Sequence, residues 1–91
     1  MNNNVRFNLQ VMMPTVHAAV TAEPAHVQDK LATLICNEMI YTPHMGVAWR
    51  NGLAHAMLQG ILSPRTEAAF MGMGMVVPAN IRAQYEWKFC Q

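Results

Sequence analysis

Charged residues are scarce in this chain of 91 residues, and their scarcity limits what the chain can bind. Only 12% of the residues are Asp, Glu, Lys or Arg, against about 25% in an average soluble domain. The six Lys and Arg residues are dispersed and the net charge is +1, whereas binding to nucleic-acid phosphates requires clustered cations. A small nucleic-acid-binding regulator is therefore only the alternative function.

Cysteine is also rare, and long apolar runs are absent. Cys36 and Cys90 are too few for the disulfide framework of a small secreted domain, so we expect free thiols, with Cys36 partly buried. No run reaches the ~18 apolar residues of a membrane-spanning helix. The apolar stretch 11–22 is a poor secretion signal because it contains Pro14 and His17. We therefore expect an intracellular, cytoplasmic protein.

The patterns that carry catalysis or metal binding are missing as well. The four histidines and two cysteines form no C-x-x-C or H-x-x-x-H pair. His44 and His55 would lie about 16 Å apart along a helix with a rise of 1.5 Å per residue. Ser63 precedes Pro64 in the arrangement that starts a helix, so capping explains it better than reactivity. We expect no enzyme activity, no metal site and no cofactor.

The apolar residues, 53% of the chain, follow two different periods. Residues 5–13 alternate apolar and polar side chains, which predicts a half-buried strand. Residues 24–41 place apolar side chains at helical spacing after an initial proline and predict the clearest helix. A second helix is predicted over 42–62, although each of its three glycines costs about 1 kcal/mol inside a helix. A short helix follows Ser63, and residues 15–22 fit an extended piece or a helical turn.

Two further strands are predicted in the last third of the chain. Methionine alternates with glycine within 70–77, and aromatic residues alternate with charged ones within 85–89. A helix that packs tightly through its glycines is the alternative for 70–77. We therefore predict a single α+β domain, residues 1–91. A small, mainly antiparallel sheet of the N-terminal, C-terminal and Met/Gly-rich strands is covered on one face by two helices. An all-α bundle is the alternative, and it requires both terminal alternating segments to be misread.

Methionine is abundant, with nine residues, and it suits an adaptable contact surface because its side chain is flexible and polarizable. Trp and Arg are also enriched in binding hot spots. The 11 charged residues must serve an expected surface of about 5,300 Å², so we expect apolar patches, which mark interfaces. The candidate partner-binding residues are Met45, Trp49, Arg50, Met71, Met73 and Met75.

These observations predict a non-enzymatic binding protein that occludes or bridges surfaces of a larger protein partner. Small regulators and inhibitors act in this way, including those that mobile elements use against host machinery. An edge strand over 70–77 would also pair with a second copy, so we expect a homo-oligomer, most simply a dimer. The same methionines would instead fill the core if that segment packs inside the domain.

Overall fold

The computed structural model describes residues 3–88, with side chains from residue 6 onward, and no strand occurs in this range. The predicted α+β fold is therefore wrong, and the all-α alternative is right. The helices are α1 (Asn3–Met12), α2 (Pro14–Thr21), α3 (Ala25–Tyr41), α4 (Met45–Leu58), α5 (Pro64–Gly72) and α6 (Ala79–Gln84), followed by the 3-10 turn Glu86–Lys88.

The first predicted strand, 5–13, lies largely within α1. In the helix Leu9 is fully buried, whereas Phe7 and Val11 are 65% and 64% exposed, so the alternating residues do not share one buried face. A strand needs a partner for its backbone N–H and C=O groups, and a helix satisfies most of them internally. Without neighbouring strands, the helix is the better solution for this segment.

The other two predicted strands are also wrong. The segment 70–77 divides into the end of α5 and a turn at Gly74, whose φ is +76°. Within 85–89, residues Glu86–Lys88 form a 3-10 turn, and Phe89 lies outside the described residues. With no strand at either place, the apolar residues cannot form the predicted sheet face.

α3 and α4 are joined by only three residues and form the centre of the fold. α3 confirms the helix predicted over 24–41, whereas α4 is shorter than the predicted 42–62. α4 ends in a Schellman motif at Gly60, whose φ is +72°. In this motif the Ile61 amide donates to the carbonyl of Ala56 at 3.2 Å.

Gly52 allows α3 and α4 to approach each other closely. A Cβ at this position would lie 2.5 Å from Cγ1 and 2.8 Å from Cα of Ile35. Ala48 and Ala56, one helical turn before and after Gly52, are fully buried, so α4 presents a face of small residues. The glycine that weakens the helix signal in the sequence is therefore required by packing.

A buried polar network holds the start of α5. Ser63 is the N-cap, as its position before Pro64 predicted, and its side chain accepts a hydrogen bond from the Thr66 amide at 3.4 Å. Glu23 Oε1 accepts from the Ser63 amide at 3.0 Å and from the Thr66 hydroxyl at 2.5 Å. The network therefore ties the end of α2 to the start of α5.

All six helices contribute to one hydrophobic core. Its largest fully buried side chains are Trp49, Phe70, Leu9, Leu31, Ile35, Leu53, Ile81, Val16 and Val20. The Cα radius of gyration of 12.3 Å equals the value of about 12 Å expected for a folded domain of this length. Within residues 3–88, no helix combines the length and the hydrophobicity that crossing a membrane requires.

Candidate functional site

A methionine-lined cleft of about 220 Å³ opens between the end of α1, the start of α4 and the segment after α5. We call it the methionine cleft. The wall between α1 and α4 is tight, because a Cβ at Gly46, which also lines the cleft, would lie 3.2 Å from the Cε of Met12. Its other lining residues are Met12, Met13, Trp49, Arg50, Met73 and Met75.

The structure brings four of the six predicted contact residues together in this cleft. Trp49 and Arg50 enter it from α4, and Met73 and Met75 enter it from the segment after α5. Met12 is not among the predicted contact residues, because the alternation of residues 5–13 predicts a strand. A helix over this segment would have made Met12 a further candidate contact residue, because methionine is the residue type on which that prediction rests.

The remaining two predicted residues lie outside the cleft lining. Met45 is partly buried, and its sulfur accepts a hydrogen bond from Asn8 Nδ2 at 3.9 Å. This contact joins α4 to α1. Met71 is 53% exposed on α5, which makes it a natural comparison for the cleft methionines.

The cleft has a buried floor and an exposed rim. Trp49 is fully buried and Met75 is 6% exposed, so both belong to the core and not, as expected from the sequence, to a freely exposed surface. Trp49 is drawn inward because α4 is packed on most of its circumference, where a large ring fills space between helices. Met12 and Met73, at 46% and 42% exposure, and the exposed Arg50 form the rim.

The indole of Trp49 carries an unused hydrogen-bond donor. Its Nε1 is buried and has no hydrogen-bond partner among the described residues. A buried donor without an acceptor costs about 1–3 kcal/mol, and buried indoles usually find one. The floor of the cleft therefore includes a residue whose hydrogen-bonding capacity is unmet.

The predicted row of aromatic residues near the C-terminus is not formed by the described part of the chain. Tyr85 is partly buried against His55, with ring centroids 5.7 Å apart. Trp87 is 67% exposed, and Lys88 Nζ lies 5.4 Å from the centre of its ring. A 3-10 turn has about three residues per turn, so residues two apart do not share a face.

Neither a metal site nor a similar known protein accompanies the methionine cleft in the part of the chain that the structure describes. Among the described residues, no three His, Cys, Asp or Glu side chains lie close enough together to hold a metal ion. Cys36 is free and partly buried, as predicted, and Cys90 lies outside the described residues. Comparison with protein-family models, with curated proteins and with solved structures finds no match.

Proposed function

We propose that this chain is a non-enzymatic binding protein whose methionine cleft receives one apolar side chain of a larger protein partner. The convergence of Met12, Met73 and Arg50 around a buried Trp49 carries this proposal. The volume of about 220 Å³ lies below the roughly 300–1,000 Å³ of typical small-molecule pockets. It suits a single anchor residue, and flexible methionine side chains can adapt to the shape of that anchor.

The lining of the cleft narrows the chemistry of the anchor. The floor is apolar where Trp49 and Met75 form it, so it suits an apolar side chain. Arg50 is the one charged residue of the lining, so an acidic side chain beside the anchor would add a favourable pair. The proposed partner therefore presents an apolar side chain next to an acidic one.

Insertion of this kind would cover the partner's own apolar site. Because the chain has only 11 charged residues, the surface around the cleft offers little charge repulsion against a protein partner. Blocking the partner's surface is how a small regulator or inhibitor acts, and it requires no chemistry by this chain.

A quantitative pull-down with matched variants tests the proposal. The double variant Met12→Ser, Met73→Ser polarises the rim, and Met71→Ser changes an equally exposed methionine outside the cleft lining. Proteins retained from a native-cell lysate by the wild type and by Met71→Ser should be depleted with the double variant. The dissociation constant of the purified partner should rise at least tenfold, which corresponds to about 1.4 kcal/mol.

Thermal unfolding of all variants is the control for folding. The double variant should unfold near the wild-type temperature, because Met12 and Met73 are 46% and 42% exposed. Arg50→Glu should weaken the same partner and also reverse the salt dependence of its binding. If a purified partner binds the double variant and the wild type with equal affinity, the methionine cleft is not its contact site.

A further inference from the structure

A second cavity, of about 610 Å³, lies on the opposite face of α4 from the methionine cleft. Asn51, His55 and Gln59 line it at intervals of four residues, so they form one stripe of the helix. By the same periodicity this stripe lies about 180° around the helix axis from Gly46 and Arg50 in the cleft. Residues of α3 and of the α6 region complete the second cavity, which we call the polar pocket.

A chain of hydrogen bonds with a definite direction forms one wall of the polar pocket. Gln59 Nε2 donates to the Tyr85 hydroxyl oxygen at 3.0 Å, so the Tyr85 hydrogen is available for His55 Nδ1, which lies 3.1 Å from that oxygen. We assign a ring proton to His55 Nε2, because its partner Glu38 is a carboxylate and can only accept. That Nε2 donates to Glu38 Oε1 at 2.9 Å.

Glu38 is the one acidic residue that lines the polar pocket, and Asn51 Nδ2 donates to its second carboxylate oxygen at 3.2 Å. Both oxygens of Glu38 are thus engaged within the protein. No Lys or Arg lines the pocket, so it lacks the cations that phosphate or carboxylate ligands require.

The other lining residues offer neutral hydrogen-bonding groups. Three exposed carboxamide residues line the pocket: Asn37, Asn80 and Gln84. Their side chains make no hydrogen bond to another described residue. Each carboxamide has both a donor and an acceptor group. Tyr41, 82% exposed, adds an aromatic face at the rim, and Leu34 is the one aliphatic lining residue.

We propose that the polar pocket binds a neutral saccharide. Sugar hydroxyls donate and accept hydrogen bonds, as carboxamides do, and the C–H face of a sugar ring can pack on the electron-rich face of Tyr41. A flat nucleobase would instead need stacking surfaces on both of its faces. Tyr41 is the one exposed aromatic residue of the lining, because Tyr85 is partly buried against His55. The volume of about 610 Å³ falls in the range of small-ligand sites.

Saturation-transfer NMR with the purified chain tests this proposal. The probes are glucose, galactose, N-acetylglucosamine and maltose, each at up to about 10 mM, a concentration that detects millimolar dissociation constants. Adenosine and uridine are tested alongside. At least one saccharide should receive saturation and shift the resonances of His55 and Tyr85, and both nucleosides should be silent.

Variants of exposed residues locate the binding. Tyr41→Ala and the double variant Asn80→Ala, Gln84→Ala should each weaken saccharide binding about tenfold or more. Gln10→Ala, which removes an exposed carboxamide of α1, should leave binding unchanged. Absence of saccharide binding, preferential nucleoside binding, or saccharide binding that these variants do not weaken would each overturn the proposal. The result is independent of the methionine cleft, so either proposal can fail alone.

Discussion

Four polar side chains are buried among the described residues, and they fall into two networks. Glu23 pairs with Thr66, and Asn51 and His55 both contact Glu38. A buried polar group is tolerated when it has a hydrogen-bond partner and is costly otherwise. The first network joins α2 to α5, and the second joins the consecutive helices α3 and α4 and, through Tyr85, the end of α6. At the scale of single residues, polar contacts therefore help to specify which helices pack together.

Glu23 makes the stability of the fold sensitive to pH. Burial raises the pKa of its carboxyl, and the hydrogen bonds from Ser63 and Thr66 lower it. Together these hydrogen bonds outweigh the effect of burial, so the pKa of Glu23 lies below its usual 4.5. The contribution of Glu23 is therefore complete above about pH 4.5 and is lost as the pH falls through the lowered pKa. Glu23→Gln should remove this pH-dependent component and lower the free energy of unfolding at pH 7 by about 1–2 kcal/mol.

Urea unfolding between pH 7 and pH 3 measures this effect. The wild type should lose stability more steeply than Glu23→Gln below about pH 4.5. Glu86→Gln, at an exposed glutamate, should follow the wild-type profile. Parallel profiles of the wild type and Glu23→Gln would show that the carboxylate form of Glu23 contributes nothing to the fold.

At the scale of elements, the helices differ in how clearly the sequence predicts them. α3 has a solvent-exposed side, so its apolar and polar residues separate at helical spacing and its bounds are readable. α4 is buried on most of its circumference, from Ala48 to Ala56 with Arg50 as the exposed residue. The sequence of a helix of this kind shows little apolar periodicity. Its glycines indicate helix ends, whereas Gly52 in fact lies where α4 packs closely against α3.

Two glycine substitutions, one inside the contact between α3 and α4 and one outside it, should have opposite effects on stability. Gly52→Ala would place a Cβ 2.8 Å from the Cα of Ile35, and overpacking of this kind costs about 1–3 kcal/mol. Gly72→Ala meets nothing within 4 Å near the end of α5, so it should be neutral or stabilising by up to about 1 kcal/mol. Urea unfolding should therefore separate the two variants, and a Gly52→Ala variant as stable as the wild type would contradict the close approach.

At the scale of the whole molecule, the sparse charge leaves apolar side chains on the surface. The accessible surface of 5354 Å² agrees with the area of about 5,300 Å² expected for this mass. Large apolar residues that are exposed include Phe7, Val11, Ile40, Tyr41 and Val76, each 64% or more. None of these residues lines the methionine cleft, so a partner bound there would leave them exposed.

Self-association through the outer side of α1 is the consequence we expect. Phe7 and Val11 are one helical turn apart and both exposed, so they form an apolar row that a second copy could cover. Light scattering of the wild type should show a mass that rises with concentration above that of the 10.2 kDa monomer. The double variant Phe7→Ser, Val11→Ser should lower this dependence, whereas Ile40→Ser, at a more exposed residue near the end of α3, should not. Equal masses for the wild type and the double variant would show that α1 is not the interface.

The sequence by itself determined the helix α3 and the cap at Ser63, because these depend on local spacing and on residue type. Only the tertiary structure decided that residues 5–12 are helical, since a strand is stable only beside a partner strand and none forms in residues 3–88. It also decided that Trp49 is buried. The polar pocket joins Glu38, His55 and Tyr85 across three parts of the chain, and long-range packing alone brings such residues within hydrogen-bonding distance.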